Sequence, residues 1–159
     1  MLEAGIIKEV ILPTDWCAPI VPVAKPNSKI RICVDLGKLN EAVKRERYIL
    51  PTLEDVVPNL AGARVFSKLG ASSDYWQIPL IPESSRLTTF NKPSGRFCFR
   101  QLSFGITSSP EIFQKTMTTL LKDHKGVAAI QDVIIVFGRL LQNTMQDFSK
   151  CSRPLESLD

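Results

Sequence analysis

The chain lacks a long apolar run. Nowhere in its 159 residues do roughly 18 consecutive apolar residues occur, the length that a membrane-spanning helix needs. The first ten residues, MLEAGIIKEV, carry acidic side chains and no basic stretch ahead of an apolar core, so no secretory signal is predicted. We therefore expect an intracellular protein, cytoplasmic or nuclear, with no membrane as a partner.

Histidine and cysteine are also scarce. The single histidine is His124, and the four cysteines are widely and irregularly spaced at Cys17, Cys33, Cys98 and Cys151. No C-x-x-C pair occurs, and His124 has no partner at a metal-ligand spacing, which argues against a zinc site. Free thiols in a reducing compartment are the expected state.

Repeats, low-complexity tracts and linker-like segments are absent, and the composition is that of an ordinary globular domain. The net charge of +4 is unevenly distributed. Seven Lys or Arg residues lie between Lys25 and Arg47, against three acids. Such a local positive field suits phosphate groups, although a solvated charged face is an equally good interpretation of these residues alone.

Two β-branched stretches with alternating polarity, 19–25 and 29–35, flank Pro26-Asn27-Ser28 and predict a β-hairpin. The other predicted elements are helices over 36–43, 52–60, about 109–124 and 141–151, and strands over 65–69, 86–91 and 96–102. Thr52 is a good N-cap, Pro58 should kink or end its helix, and Pro110 is tolerated in a first helical turn. The irregular order of helices and strands favours an α+β domain, with an antiparallel sheet covered by helices on one face.

One acidic residue, Asp132, stands near the join of two apolar runs in GVAAIQDVIIVFG, residues 126–138. A lone carboxylate in such a segment is either a turn former or a metal ligand. The segment alone favours a turn former, whereas the rest of the chain favours a metal ligand.

Four blocks of sequence together resemble one family. They are KIRICVDLGKLN (29–40), ILPTLEDVVPNLAGARVFSKLGASSDYWQIPL (49–80), LTTFNKPSGRFCFRQLSFGITSSPEIFQKTM (87–117) and the 126–138 segment. In this order they are similar to the reverse transcriptase of gypsy-type LTR retrotransposons, part of a Pol polyprotein. The resemblance implies one domain over 1–159, with fingers at about 1–60 and 85–108, palm at about 61–84 and 109–159, and no thumb.

The resemblance also implies an RNA-directed DNA polymerase that uses Mg²⁺, deoxynucleoside triphosphates and an RNA or DNA template–primer, beside further Pol segments such as thumb, connection and ribonuclease H. The family holds its metal ions with three aspartates, one at a strand end and two in a Tyr-x-Asp-Asp turn. Here the first position is Gly70, the second is Asp132, and the third is Val133. With two of three ligands replaced, we predict that Mg²⁺ binding is weak or absent and that the chain does not polymerise DNA.

Other family positions are better preserved. Arg31 matches the arginine that contacts the triphosphate, and Lys25 lies near the lysine that assists it. Tyr75 matches the aromatic residue under the sugar, and Phe104-Gly105 matches the loop that packs on nucleotide and template. Two structural alternatives stay open, namely a salt bridge from Arg31 to Asp35 and a core position for Tyr75 beside Trp76.

Two functional hypotheses follow. The first is a reverse-transcriptase-like domain that is catalytically inactive. The second is a non-catalytic nucleic-acid-binding module, a domesticated or decayed copy that keeps the basic hairpin. Salt-dependent binding to template–primer distinguishes the second from a relic without any nucleic-acid role.

Overall fold

The computed structural model describes residues 1–24, 30–70 and 74–139. Lys25, Cys151 and the predicted helix over 141–151 lie outside the described residues. Two compact units divide the chain, one formed by Met1–Arg45 with Ile78–Ser109, the other by Glu46–Gln77 with the described chain from Pro110 onward.

Strands and helices alternate irregularly in the described parts of the chain. The strands are β1 (Ile7–Glu9), β2 (Ile20–Ala24), β3 (Ile30–Val34), β4 (Val65–Gly70), β5 (Phe90–Lys92), β6 (Gly95–Phe99), β7 (Val127–Ile130) and β8 (Val133–Gly138). The α-helices are α1 (Gly37–Ala42), α2 (Leu53–Val56), α3 (Pro82–Leu87) and α4 (Ser109–Leu121), with short 3₁₀ turns at Val57–Leu60 and Asp74–Gln77. None of these helices is long and apolar enough to cross a membrane.

The first unit contains two antiparallel sheets, with strand orders β1-β6-β5 and β2-β3. Its core contains an aromatic cluster, in which Phe90 on β5 packs against Phe97 and Phe99 on β6, with the Phe90 and Phe99 ring centroids 5.3 Å apart. The hairpin predicted over 19–35 is confirmed by β2 and β3, which pair from Ile20–Val34 to Ala24–Ile30. This hairpin places Arg31 opposite Val23.

The described part of the second unit contains one antiparallel sheet in the order β4-β8-β7. Alternate residues of the central strand β8, Ile134 and Val136, are fully buried. On α4, Phe113, Met117 and Leu121 follow each other at four-residue intervals and are also buried, as the helical periodicity predicts. The predicted α+β class with antiparallel pairing is confirmed, and the described residues form three small sheets in place of one.

Local sequence signals explain where α2 begins and ends. Thr52 caps α2 as predicted, its hydroxyl accepting from the Asp55 N–H while the Asp55 carboxylate accepts from the Thr52 N–H at 2.7 Å. The α-helix then ends at Val56, and Pro58 lies in the first turn of the 3₁₀ segment that follows.

The strand predicted over 86–91 is wrong in its first half, because residues 82–87 form α3. Pro82 occupies the first turn, where its missing N–H needs no partner, and Arg86 lies in the last turn, where a cation is favourable. The Ser85 hydroxyl, fully buried, donates to the Phe99 carbonyl at 2.6 Å and ties the helix to β6. The edge strand β1 was not predicted, since three residues are too few for a periodicity.

Candidate functional site

The β7–β8 turn carries the retained acidic residue. Ile130 pairs with Val133, so the turn consists of only Gln131 and Asp132. Gln131 has φ +52°, the one positive φ of a non-glycine residue in the described chain. A two-residue turn with positive φ at its first central residue only has the pattern of type II′, which favours glycine there. Asp132 is exposed at the tip of this turn.

The structure brings the three expected carboxylate positions to one end of the second unit's sheet. Val133 pairs with Ile130 on one side and with Gly70 on the other, and Asp132 is its chain neighbour. A Cβ atom added at Gly70 would meet no described atom within 4 Å, so the glycine is not required by crowding.

The donor set at this place does not fit a divalent metal ion. Mg²⁺ prefers several hard oxygen ligands. Gly70 and Val133 offer no side-chain oxygen, and Asp132 is a single carboxylate. Among the described residues, no three His, Cys, Asp or Glu side chains lie together as a metal-ion site would require.

A pocket of about 210 Å³ lies beside the turn and is lined by Tyr75, Pro110, Phe113, Gln131 and Asp132. The rings of Tyr75 and Phe113 meet edge to face, with centroids 5.7 Å apart and planes inclined by 71°. Tyr75 is half-buried, so it both packs on a core aromatic and contributes to the pocket wall. The predicted site residues Tyr75 and Asp132 therefore line the same pocket.

Sequence reasoning missed Gln114 as part of this site. The side chain is fully buried on α4, and its Oε1 accepts a hydrogen bond from the Gln131 N–H at 2.6 Å. Its Nε2 donates to the Ala129 carbonyl at 3.0 Å and to the Thr118 hydroxyl at 3.2 Å. A usable signal was present, because Gln114 lies one residue after Phe113 and three before Met117, on the apolar side of a helix where a polar residue needs partners.

The remaining predicted positions belong to the first unit. Arg31 is exposed on β3. The Asp35 carboxylate accepts the Gly37 N–H at 2.9 Å, and within the described residues no ion pair joins Asp35 to Arg31. The predicted alternative of a salt bridge between them is therefore absent from the described contacts.

The Phe104-Gly105 loop is held by Asn40, which follows α1's buried Leu39. The Asn40 Nδ2 donates to the Gly105 carbonyl at 2.7 Å, and its Oδ1 accepts the Thr107 N–H at 2.9 Å. Gly105 has φ +94°, a region that side chains rarely adopt, and Phe104 is 41% exposed. The loop is thus a partly aromatic surface of the first unit that two side-chain hydrogen bonds hold in place.

Residues 23–149 match the family described as reverse transcriptase (RNA-dependent DNA polymerase), and the chain belongs to this family. The retrovirus-related Pol polyprotein from transposon 297 of Drosophila melanogaster is 30% identical over 146 residues, a match that covers 89% of this chain and 14% of the relative. The Pol polyprotein from transposon gypsy of the same organism is 32% identical over 112 residues, covering 69% of this chain and 11% of the relative. The resemblance to retrotransposon Pol proteins is confirmed.

A solved structure shows the same fold. The foamy viral protease–reverse transcriptase in complex with double-stranded DNA superimposes with a TM-score of 0.84 at 22% identity, over 99% of this chain and 27% of that chain. The predicted reverse-transcriptase-like fold is confirmed. Because the chain spans only small fractions of its curated relatives, the activity and partners of a whole Pol protein are matters for a proposal.

Proposed function

We propose that this chain is a fingers-and-palm domain of the reverse transcriptase family that does not catalyse nucleotide addition. The observation that carries the proposal is the Gly70–Val133 pair, which leaves Asp132 as the one carboxylate among the three family positions. The first compact unit corresponds in this proposal to fingers and the second to palm.

The size of the expected defect follows from the chemistry. Nucleotide addition is an in-line phosphoryl transfer, and two Mg²⁺ ions supply the charge stabilisation for the attacking and leaving oxygens in this reaction class. Each ion is worth several kcal/mol, and about 1.4 kcal/mol corresponds to a tenfold change in rate. Loss of two of the three carboxylates should therefore lower the rate on the order of a thousandfold or more.

Other features support retained contacts with a nucleotide or nucleic acid. Tyr75 and Asp132 line the 210 Å³ pocket, which is large enough for part of a nucleotide. Arg31 is exposed on the basic hairpin, where a guanidinium would make bidentate phosphate contacts. Lys25, in this proposal, assists Arg31, and Phe104-Gly105 forms the neighbouring packing surface for nucleotide and template.

Primer extension tests the proposal. The parent chain, Asp132→Asn and the double variant Gly70→Asp/Val133→Asp are assayed on one template–primer with Mg²⁺ and with Mn²⁺. We expect no more product from the parent than from Asp132→Asn. This substitution removes the one carboxylate left at the three family positions and keeps the shape of the side chain. Extension by the parent clearly above that control contradicts the proposal, and extension by the double variant alone supports the assignment of both positions.

A further inference from the structure

The buried amide of Gln114 contacts two main-chain groups that flank the turn. One is the carbonyl of Ala129, the second-last residue of β7, and the other is the N–H of Gln131, the first residue of the turn. Gln114 itself is 0% exposed, so its end of both hydrogen bonds is shielded from water. A single side chain on α4 therefore fixes where β7 ends and where the turn begins.

The conformation at Gln131 needs such support. Its φ of +52° lies in the positive region that a residue with a Cβ rarely adopts, so the backbone is strained at this position. The hydrogen bond from its N–H to Gln114 at 2.6 Å anchors the backbone at the first residue of the turn. Because the residue after Gln131 is Asp132, the direction of that carboxylate toward the pocket depends on the same turn.

We propose that Gln114 is a positioning residue for Asp132, holding the left-handed turn that aims the carboxylate into the pocket shared with Tyr75 and Phe113. The inference rests on the proposed function in taking Asp132 for the retained ligand position. The role is positional, because Gln114 contacts the backbone around Asp132 and is not among the residues that line this pocket.

Amide hydrogen exchange in the parent background is the first test. Gln114→Met keeps the length of the side chain and removes its donor and strong acceptor. We expect the Gln131 amide to exchange about tenfold faster in this variant, while Val136 in the middle of β8 keeps its rate. Equal acceleration at both positions would mean general loosening of the fold and would overturn the proposal.

Thr118→Val is the matched control. It removes the third hydrogen bond of the same amide, the one to an exposed hydroxyl, and leaves both main-chain contacts in place. We expect exchange at Gln131 to be unchanged. If Gln114→Met does not fold, Gln114→Leu serves in its place, because leucine is also apolar and fills the buried position without a donor or acceptor; exchange at Gln131 as slow as in the parent would overturn the proposal.

Metal binding is the second test, made in the Gly70→Asp/Val133→Asp background with Mn²⁺ alone. We expect Gln114→Met to lower the affinity for Mn²⁺ about tenfold, the effect typical of losing a group that orients a metal ligand. Gln131→Gly added to Gln114→Met should restore most of the affinity, since glycine adopts a positive φ without strain. Exchange at residue 131 should stay fast in that variant, because its N–H still lacks the acceptor.

The two tests separate the two claims. Unchanged Mn²⁺ affinity in Gln114→Met overturns the positioning role. Mn²⁺ binding by the double variant no tighter than by the parent overturns the metal-ligand assignment in the proposed function, and the exchange measurement in the parent still decides whether Gln114 holds the turn.

Discussion

Gly70 and Val133 lie directly opposite each other on the antiparallel strands β4 and β8, at the end of the sheet that carries the β7–β8 turn. Side chains at such positions share a face and stand about 5 Å apart at Cβ. The two departures from the family's aspartate pattern therefore fall on one cross-strand pair. Both expected charges are missing from the same small patch, and Asp132 next to it belongs to no described group of three possible metal ligands.

The first prediction concerns the stability of the two single replacements at this pair. Gly70→Asp should change the free energy of unfolding by no more than about 1 kcal/mol, because the site has room for a side chain and lies at a strand end. Val133→Asp should destabilise by about 1–3 kcal/mol, because it puts a polar group at a half-buried position of a central strand beside Ile130. Urea unfolding of each variant measures both values.

A second prediction concerns the same pair combined. Two carboxylates directly opposite each other repel. The double variant Gly70→Asp/Val133→Asp should therefore lose more free energy of unfolding than the two single variants lose together. A divalent cation that binds between them stabilises only the folded state. We expect Mn²⁺ to raise the melting temperature of the double variant and to leave that of the parent unchanged. An equal rise in both proteins would contradict the assignment of these positions.

The third prediction tests Arg31 as a phosphate contact. Binding to an RNA–DNA template–primer is measured as a function of salt for the parent, Arg31→Ala and Arg86→Ala. One lost phosphate contact should reduce the slope of log affinity against log salt by about 0.9. Arg86 on α3 is the control, because its loss lowers the net charge equally. Identical slopes for the two variants would show that only overall charge matters.

Local sequence patterns predict much of the fold, whereas most of the candidate site depends on contacts between residues that are far apart in the sequence. The Thr52 cap and the helix end near Pro58 depend on neighbours within a few residues, so the sequence predicts them. The Gln114 contact with Gln131 spans 17 residues, and the Gly70–Val133 pair joins positions 63 apart (133 − 70). No periodicity reveals such pairings, and only the family resemblance indicated that Gly70 and Asp132 belong together.

The error at 86–91 has a similar origin. Ile81 to Leu87 contains helix-start signals, with proline in the first turn and Glu83 beside it. The residues that follow, Leu87 to Phe90, are apolar or β-branched and favour a strand. The burial of Ser85 against β6 adds a tertiary contact that the sequence does not display.

The last prediction concerns pH and the start of α2. Hydrogen bonds from the Thr52 backbone N–H and hydroxyl hold the pKa of the Asp55 carboxyl below its ordinary value. A depressed pKa means that the ionised form is favoured by folding, so this contribution to stability is present above the unfolded pKa and is lost as the pH falls through the folded pKa. The affected window lies below about pH 4, where free aspartate protonates.

Replacing Thr52 by alanine removes the hydroxyl partner and leaves the backbone N–H. We therefore expect Thr52→Ala to be less stable than the parent at neutral pH and to approach it in stability as the pH falls toward 3. Chemical unfolding at several pH values measures this convergence, with Glu54→Gln as a control that removes a nearby charge but no part of the cap. A difference between parent and Thr52→Ala that stays constant down to pH 3 would show that the hydroxyl acts without the Asp55 carboxylate.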